Sequence, residues 1–156
     1  DKKKFDIVEL VQNVFDLIEI ESEKSSISLI YDKNYSKPIY VFADEERILQ
    51  VLTNLLVNSL KYGIDGGRTE VSLVRNDDKV LIRVSDDGIG VSKEHLPRLF
   101  ERFYRVDATR SRKKGGSGLG LSIVKHIIEA HSENISVESE YGKGTTFSFT
   151  LEYFKS

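Results

Sequence analysis

The sequence has 156 residues, of which 39% are hydrophobic and 31% charged, and its formal net charge is −2. This length predicts one domain with its own core, and the near-neutral charge argues against a dedicated nucleic-acid binder. The lack of cysteine excludes disulfides, thiolate metal sites and a cysteine nucleophile. The sequence contains neither a signal peptide nor an apolar run of membrane-spanning length. Because it also lacks methionine, we expect it to be a piece of a longer protein.

The first half of the chain predicts a helix, two strands and a second helix. Residues 5–26 form the first helix, whose apolar stripe recurs at helical spacing. That stripe consists of Ile7, Leu10, Val11, Val14, Leu17 and Ile18. Short strands follow at 27–33 and 39–43. Asp44 is the expected N-cap of the second helix, which covers residues 45–62 and has a leucine-rich face.

The second half predicts two pairs of strands separated by helices. Strands at 69–76 and 79–86 alternate apolar and polar residues around an Asp-Asp turn, and a short helix led by Ser92 follows. A third long helix covers about residues 119–131, and strands at 134–140 and 145–153 end the chain. Its inward-facing residues are Val124, Ile127, Ile128 and His131. Because strict βαβ alternation is missing, the pattern favours the α+β class, with one mixed sheet covered by helices on one face.

The segment NLLVNSLKYG places two amides and an ammonium on one face of the second helix. Asn54 and Asn58 are four residues apart, and Lys61 follows three residues later. An amide oxygen can bind Mg²⁺ while a lysine binds phosphate, so this face could hold a metal–phosphate unit. A plain solvated face explains the same residues. The segment alone leaves both interpretations open.

Two glycine-rich segments have a comparable ambiguity. In VSDDGIG, Asp86 ends a strand and glycines follow, which suits either a carboxylate beside a flat ligand or an ordinary turn. GGSGLG, residues 115–120, directly precedes the third helix, where free N–H groups and the helix dipole favour a phosphate. A simple connecting loop is the alternative. The preceding basic residues would either be solvated or help to hold an anion; they are Arg110, Arg112, Lys113 and Lys114.

Taken together, five motifs in this order resemble the catalytic ATP-binding domain of sensor histidine kinases. They are the asparagine-bearing helix, DDGIG, FERFYRVD, GGSGLGLSIVK and GKGTTF. The resemblance extends from about Phe5 to Phe154 and includes the wider group of DNA gyrase, large heat-shock chaperones and mismatch-repair ATPases. It implies a two-layer α/β sandwich, the Bergerat fold, with three helices on one face of a mixed, mainly antiparallel sheet. ATP would lie between the helices, under a lid at residues 104–117 that we expect to be mobile without nucleotide.

The resemblance also implies roles at the phosphate end of the nucleotide. Asn58 is the expected Mg²⁺ ligand, and Asn54 supports it from the same helix. Lys61 and Arg105 would act on the phosphates, which makes them catalytic together with Asn58. Tyr62 would border the nucleotide.

At the adenine end, the resemblance implies that Asp86 accepts the hydrogen bond of the adenine amino group. Gly88 and Gly90 would keep the backbone close to the base, and Thr145 would line the pocket. The glycine-rich segment would shape the end of the lid and hold phosphate through Gly116, Gly118, Leu119 and Gly120.

Some residues depart from the family pattern. Ser59 stands where the family usually has alanine or glycine, and Gly63 stands where a hydroxyl residue is common. HSEN replaces the usual His-Gly-Gly turn, so we expect Asn134 to supply the left-handed backbone conformation there.

The resemblance further implies a kinase that requires a partner domain. Its acceptor histidine would lie on a dimerising helical hairpin of the same protein, and a response regulator would act downstream. His95, His126 and His131 lack the acid-flanked acceptor motif, so we expect surface or core roles for them. The domain itself would contact neither nucleic acid nor membrane, and would be the cytoplasmic part of a membrane-anchored sensor.

Three other functions compete with this one. A gyrase-like hydrolase or a stand-alone anti-sigma-factor serine kinase usually has a glutamate at the position of Asn54, and an amide cannot take a proton from water. A pseudokinase would act only as an interaction module, which the intact Asn58, Asp86 and glycines argue against.

Overall fold

The computed structural model describes residues 1–104 and 120–155. The basic segment at 110–114 lies outside the described residues, and so does nearly all of the proposed lid. The same holds for four of the predicted site residues, namely Arg105, Gly116, Gly118 and Leu119.

Seven strands form one sheet in the order β1-β3-β7-β5-β4-β2, with β6 paired to β7 beside this path. Only β2 and β4 pair in parallel among these strands, so the sheet is mixed and mainly antiparallel. The strands are β1 (Lys3–Asp6), β2 (Ser28–Tyr31), β3 (Tyr40–Ala43), β4 (Arg68–Asn76), β5 (Lys79–Asp86), β6 (Ile135–Glu140) and β7 (Gly144–Tyr153).

Helices cover one face of this sheet and bury the core against it. They are α1 (Ile7–Leu17), α2 (Glu19–Lys24), α3 (Glu45–Lys61) and α4 (Gly120–Ala130). Val71, Val84 and Phe147 lie opposite one another on β4, β5 and β7, and each is almost fully buried. The leucine-rich face of α3 packs on such rows, while Val124, Ile127 and Ile128 of α4 complete the core. The predicted α+β sandwich with three main helices is therefore confirmed.

The predicted start of α3 is also confirmed, and a histidine supports it. Asp44 is the N-cap, since its carboxylate accepts a hydrogen bond from the Arg47 amide at 3.3 Å. The Asp44 amide donates to Nε2 of His131 at 3.1 Å, and Nδ1 of the same ring donates to the Ile127 carbonyl at 2.8 Å. This network assigns a neutral imidazole with its proton on Nδ1. His131 thus joins the end of α4 to the start of α3.

The prediction for the N-terminal segment is wrong in three details. Phe5 and Asp6, where the helix was predicted to start, end strand β1 instead, and Asp6 caps α1 by accepting from the Val8 amide. The helix ends at Leu17, and α2 starts at Glu19 after a break at Ile18. Leu17 was predicted to be buried but is 66% exposed, because the buried face runs through Phe15 and Ile18 and leaves Leu17 on its solvent side.

Two predictions about local backbone also need correction. The helix predicted from Ser92 is only a 3₁₀ turn, Leu96–Arg98, since Pro97 lacks an amide hydrogen and cannot continue a longer hydrogen-bond pattern. After α4, the left-handed residue is Ser132, with φ 58°, and not Asn134. The Glu133 amide returns to the Ile128 carbonyl, which places the tight reversal at Ser132.

Candidate functional site

Three polar side chains form a row across the sheet beneath α3. Asp86 at the end of β5 is paired with Thr69 of β4 on one side and with Thr145 of β7 on the other. Thr69 and Thr145 are buried, and Asp86 is half-buried. Residues paired in register point to the same face of a sheet, and here that face is the one covered by helices. The row therefore forms a polar floor at one end of an otherwise apolar layer.

The environment of the Asp86 carboxyl suits a group that accepts a hydrogen bond from a ligand. Burial raises the pKa of its carboxyl to about 6, and the Asp87 charge adds to the rise. Hydrogen bonds from the backbone amides of Gly88 and Thr145 oppose this shift, and the Gly88 amide lies 2.9 Å from Oδ1. A donor from a ligand would stabilise the ionised form further.

The loop after Asp86 is fastened to the end of α3. The Ile89 amide donates to the Tyr62 carbonyl at 3.0 Å. A Cβ on Gly88 would lie 2.2 Å from that same carbonyl oxygen, so only glycine permits this approach. Gly88 thus fixes the distance between the helix that bears Asn58 and the strand that bears Asp86. This gives it a second, structural reason to be glycine besides the predicted approach to a base.

The other side of the loop is fastened to the β6–β7 turn. Gly90 has φ +74°, and a Cβ there would lie 2.1 Å from the Glu140 carbonyl oxygen. The Gly142 amide donates to the Ile89 carbonyl at 2.6 Å. The loop from 86 to 90 is therefore held from two directions, which keeps the Asp86 carboxylate in place.

The predicted polar face of α3 is present at the opposite side of the site. Asn54, Asn58 and Lys61 are all half-buried and share one face, while the leucines of the other face are buried. The Asn54 amide nitrogen lies 3.4 Å from the Gly120 carbonyl, so the first residue of α4 meets α3 at this point. The described part of the chain thus brings Asn54 to Gly120, and Tyr62 to the loop of Asp86.

Two polar pairs in this region escaped the sequence analysis. The Ser139 hydroxyl accepts from the Val91 amide at 2.7 Å and lies 2.8 Å from the Thr145 hydroxyl, so it positions one member of the floor. Thr69 donates to Ser59 at 2.9 Å, and Ser59 donates to the Leu56 carbonyl at 2.6 Å. The departure at Ser59 therefore has a partner on β4. In the sequence, only the departure from the family pattern at Ser59 pointed to this pair, because the sequence around a threonine or serine in a strand rarely shows which face the side chain occupies.

A protein-only metal cage is not found among the described residues, where no three His, Cys, Asp or Glu side chains group together. The Asn58 amide offers a single oxygen donor on the helix. Mg²⁺ suits such a sparse donor set, because it commonly keeps waters and takes its other ligands from the phosphates of a bound nucleotide. The residues present therefore fit a metal that arrives with a nucleotide.

Residues 43–154 match the family of histidine kinase-, DNA gyrase B- and HSP90-like ATPases, and the chain belongs to that family. Within it, the chain is a catalytic domain of the sensor histidine kinase type.

Two curated relatives show how much of a longer protein such a domain represents. Sensor histidine kinase WalK of Bacillus subtilis is 45% identical over 119 residues, which cover 75% of this chain and 20% of WalK. Sensor protein SrrB of Staphylococcus aureus is 41% identical over 134 residues, covering 86% of this chain and 23% of SrrB. The chain thus spans about a fifth of the length of these relatives. No helix in the described ranges is long and apolar enough to cross a bilayer.

Solved structures share the whole fold. The nucleotide-free catalytic domain of histidine kinase ThkA has a TM-score of 0.82 at 28% identity, with 97% of both chains covered. Full-length ShkA in complex with AMPPNP has a TM-score of 0.85 at 27% identity, covering 100% of this chain and 32% of ShkA. ThkA in complex with response regulator TrrA has a TM-score of 0.80 at 27% identity, covering 98% of this chain and 42% of ThkA.

Proposed function

We propose that this domain binds ATP with Mg²⁺ and donates the γ-phosphoryl group to a histidine on a separate dimerisation domain of the same protein. The observation that carries the proposal is Asp86, a half-buried carboxylate with a pKa of about 6 at a strand end, facing the helix layer. A structural turn has no need of such a group, because a solvated aspartate caps a turn equally well. A pocket that recognises an N–H donor does need it.

At the adenine end, the Asp86 carboxylate accepts from the exocyclic amino group. Gly88 and Gly90 hold the loop close to the base, and Thr145 lines the pocket from the neighbouring strand. The loop is fastened to Tyr62 and to the β6–β7 turn, so the acceptor is positioned before the nucleotide arrives. Tyr62 borders the nucleotide from the end of α3.

At the phosphate end, the Asn58 amide oxygen holds Mg²⁺, Asn54 supports it, and Lys61 reaches the phosphates. When bound, Mg²⁺ neutralises phosphate charge and leaves the γ-phosphoryl group open to attack. Gly120, at the first turn of α4, offers a backbone amide that the helix itself does not use. Arg105, Gly116, Gly118 and Leu119 complete this end in the proposal on the basis of their sequence motifs alone.

The amide at residue 54 favours transfer to a protein acceptor over hydrolysis. A carboxylate there could take a proton from water, whereas the Asn54 amide cannot. Its contact with Gly120 gives it a positioning role at the junction of α3 and α4. The acceptor must then come from outside the site, and in-line placement of its imidazole supplies much of the rate.

The relatives support the partners in this proposal. WalK and SrrB carry the names of sensor proteins, and ThkA has been solved with a response regulator. We extend these features to this chain: a histidine-bearing helical hairpin receives the phosphoryl group, a response regulator takes it next, and the domain lies on the cytoplasmic side of a membrane-anchored sensor.

Radiolabelled ATP tests the proposal directly. The purified domain is incubated with γ-labelled ATP, alone and together with the dimerisation domain of its full-length protein. We expect acid-labile label on the dimerisation domain and almost none on this chain. Asn58→Ala should abolish transfer, while Asn13→Ala, at an exposed asparagine of α1, should leave it unchanged.

Rapid labelling of the domain alone would contradict the proposal, because one of its own histidines would then be the acceptor. His126 is the exposed candidate, whereas His131 is buried with both ring nitrogens hydrogen-bonded. Full transfer by Asn58→Ala would remove Asn58 from the metal site.

A further inference from the structure

Strand β2 forms one end of the sheet and has an unpaired edge in the described part of the chain. It pairs with β4 alone there. The Ser28 amide donates to the Gly67 carbonyl and the Asp32 amide to the Val71 carbonyl, so the even-numbered residues direct their amides toward β4. By strand alternation, Leu29 and Tyr31 direct their N–H and C=O groups away from β4. Such an edge is a template for one more strand.

A groove of about 720 Å³ runs beside this edge, and we call it the β2 groove. One wall is β2 itself. The other wall is a face of α1 and α2 that carries Gln12, Asp16, Glu19 and Glu23 at helical spacing, all of them exposed. Lysine and arginine do not occur among the lining residues, and within the described ranges the three carboxylates form no salt bridge. The groove is therefore acidic along its length.

We propose that the β2 groove binds an extended, lysine- or arginine-rich segment of a partner protein, which adds to the sheet as a strand beside β2. Backbone hydrogen bonds to Leu29 and Tyr31 would hold the segment in register. Side chains of an added strand alternate between the two faces, so every second residue would point toward the helix layer. There, basic side chains would meet Asp16, Glu19 and Glu23.

The charge of the groove decides among the possible occupants. A second copy of this chain would pair β2 with β2 and bring two acidic walls together, which like-charge repulsion disfavours. An acidic segment is disfavoured for the same reason. Only a basic segment gains from both the open strand edge and the carboxylates. This surface makes no use of the nucleotide site, so the inference stands apart from the proposed function.

Two probe peptides test charge and strand addition together. One alternates lysine and threonine, and its counterpart alternates glutamate and threonine. Backbone amide shifts of the ¹⁵N-labelled domain are followed while each peptide is added. We expect the lysine peptide to bind, to shift the amides of Leu29 and Tyr31 most, and to bind more weakly as salt is raised. The glutamate peptide should produce no shifts.

Matched variants separate the contribution of the acidic side chains from that of strand addition. Glu19→Gln combined with Glu23→Gln should weaken binding of the lysine peptide about three- to tenfold. The control combines Glu9→Gln with Glu129→Gln, at exposed glutamates that do not line the groove, and should leave the affinity unchanged. Leu29→Pro removes an amide that faces away from β4, so the β2–β4 pairing is kept and affinity should fall about tenfold. If that variant unfolds, a lysine peptide N-methylated at alternate residues makes the same test from the ligand side.

Failure of the lysine peptide to bind would mean that the acidic wall only protects the edge against pairing. Equal binding of both peptides would remove the role of charge. Binding that ignores N-methylation, or that shifts amides elsewhere, would remove strand addition.

Discussion

At the scale of single residues, the Asp86 carboxyl is governed by two opposing influences. Burial favours its protonated form, while two backbone amides favour the ionised form, and the result is a pKa of about 6. The amino group of a bound adenine would form its stronger hydrogen bond with the ionised form. Protonation of the Asp86 carboxyl should therefore lower the affinity for nucleotide at slightly acidic pH.

The first prediction is a pH dependence of ATP affinity that Asp86 causes. Because the ionised carboxylate accepts from the adenine amino group more strongly than the protonated acid does, affinity should fall as pH drops below 6, by up to about tenfold per unit. The γ-phosphate of ATP titrates as well, so the informative quantity is the ratio of the wild-type affinity to that of Asp86→Asn. That ratio should be about ten- to a hundredfold at neutral pH and should shrink in acid. Calorimetric titration at several pH values measures it.

Two controls accompany this measurement. Asp87→Asn changes the exposed neighbour but keeps the oxygen that accepts from the Arg68 amide, so ATP affinity should stay near wild type. A carboxyl whose folded pKa is raised favours the fold at low pH, and this contribution is lost as pH rises through 6. Asp86→Asn should thus melt no lower than wild type at neutral pH. A constant affinity ratio from acid to neutral pH would count against Asp86 as the adenine acceptor.

The second prediction concerns the buried hydroxyl pair of Ser59 and Thr69, which are 2% and 0% exposed. Ser59→Ala leaves the Thr69 hydroxyl without its partner in a dry site and should cost about 1–3 kcal/mol of unfolding free energy. Thr69→Val should cost less, since Ser59 keeps its bond to the Leu56 carbonyl. In the double variant the losses should not add, and urea unfolding of all four proteins gives the coupling. Strict additivity would mean that the two hydroxyls act independently.

At the scale of elements, the buried stripe of each helix determines which of its side chains face solvent or the candidate site. The buried stripe of α1 continues through Phe15 to Ile18, while Leu17 lies beside it and is exposed. In α3 a leucine face runs through the whole helix and leaves Asn54, Asn58 and Lys61 on the other side. The helix that carries the candidate site is therefore also the helix most firmly packed on the sheet.

The third prediction compares two leucines of α1 that sequence periodicity does not distinguish. Leu10 is 5% exposed and Leu17 is 66% exposed. Leu10→Ala should lower the free energy of unfolding by about 2–5 kcal/mol through lost packing and a cavity. Leu17→Ala should change it by less than about 0.5 kcal/mol. Denaturant unfolding under one condition measures both, and an equal loss would place Leu17 in the core.

At the scale of the whole molecule, the site joins parts that are far apart in the sequence. Asn54 meets Gly120, Tyr62 meets Ile89, and Asp86 lies between Thr69 and Thr145. A nucleotide bound here would touch both layers of the sandwich. Turnover would then depend on which group meets the γ-phosphate.

The fourth prediction is that residue 54 controls the loss of phosphate to water. Asn54→Glu adds a carboxylate where a base could activate water, so ATP hydrolysis should rise about two- to tenfold, well below what an evolved general base gives. Asn54→Gln keeps the amide and serves as the size-matched control. Phosphate release by the isolated domain is the measurement. A rise in both variants would point to altered positioning of α4, and no rise in either would exclude this residue as the cause of slow hydrolysis.

Much of this molecule could be derived from the sequence because its determinants are local. The Asp44 cap and the hydrophobic periodicity after it specify α3 almost to the residue. The alternating pattern around the turn at Asp77–Asp78 does the same for β4 and β5. The motif order identified the family and with it the candidate residues. The sequence predicts the left-handed residue at Asn134 on local preference, whereas it lies at Ser132, because the helix ends at Ala130 and the Glu133 amide returns to the Ile128 carbonyl there.

Tertiary structure alone decided what depends on pairing between distant strands. The sequence by itself determined that Asp86 ends a strand and that glycines follow it. It could not show that Gly88 presses against the Tyr62 carbonyl, that Ser59 bonds Thr69, or that β2 is left at the sheet edge beside an acidic helix face. Each of these depends on how distant elements pack together, and that packing is a balance of burial over the whole core that no local pattern encodes.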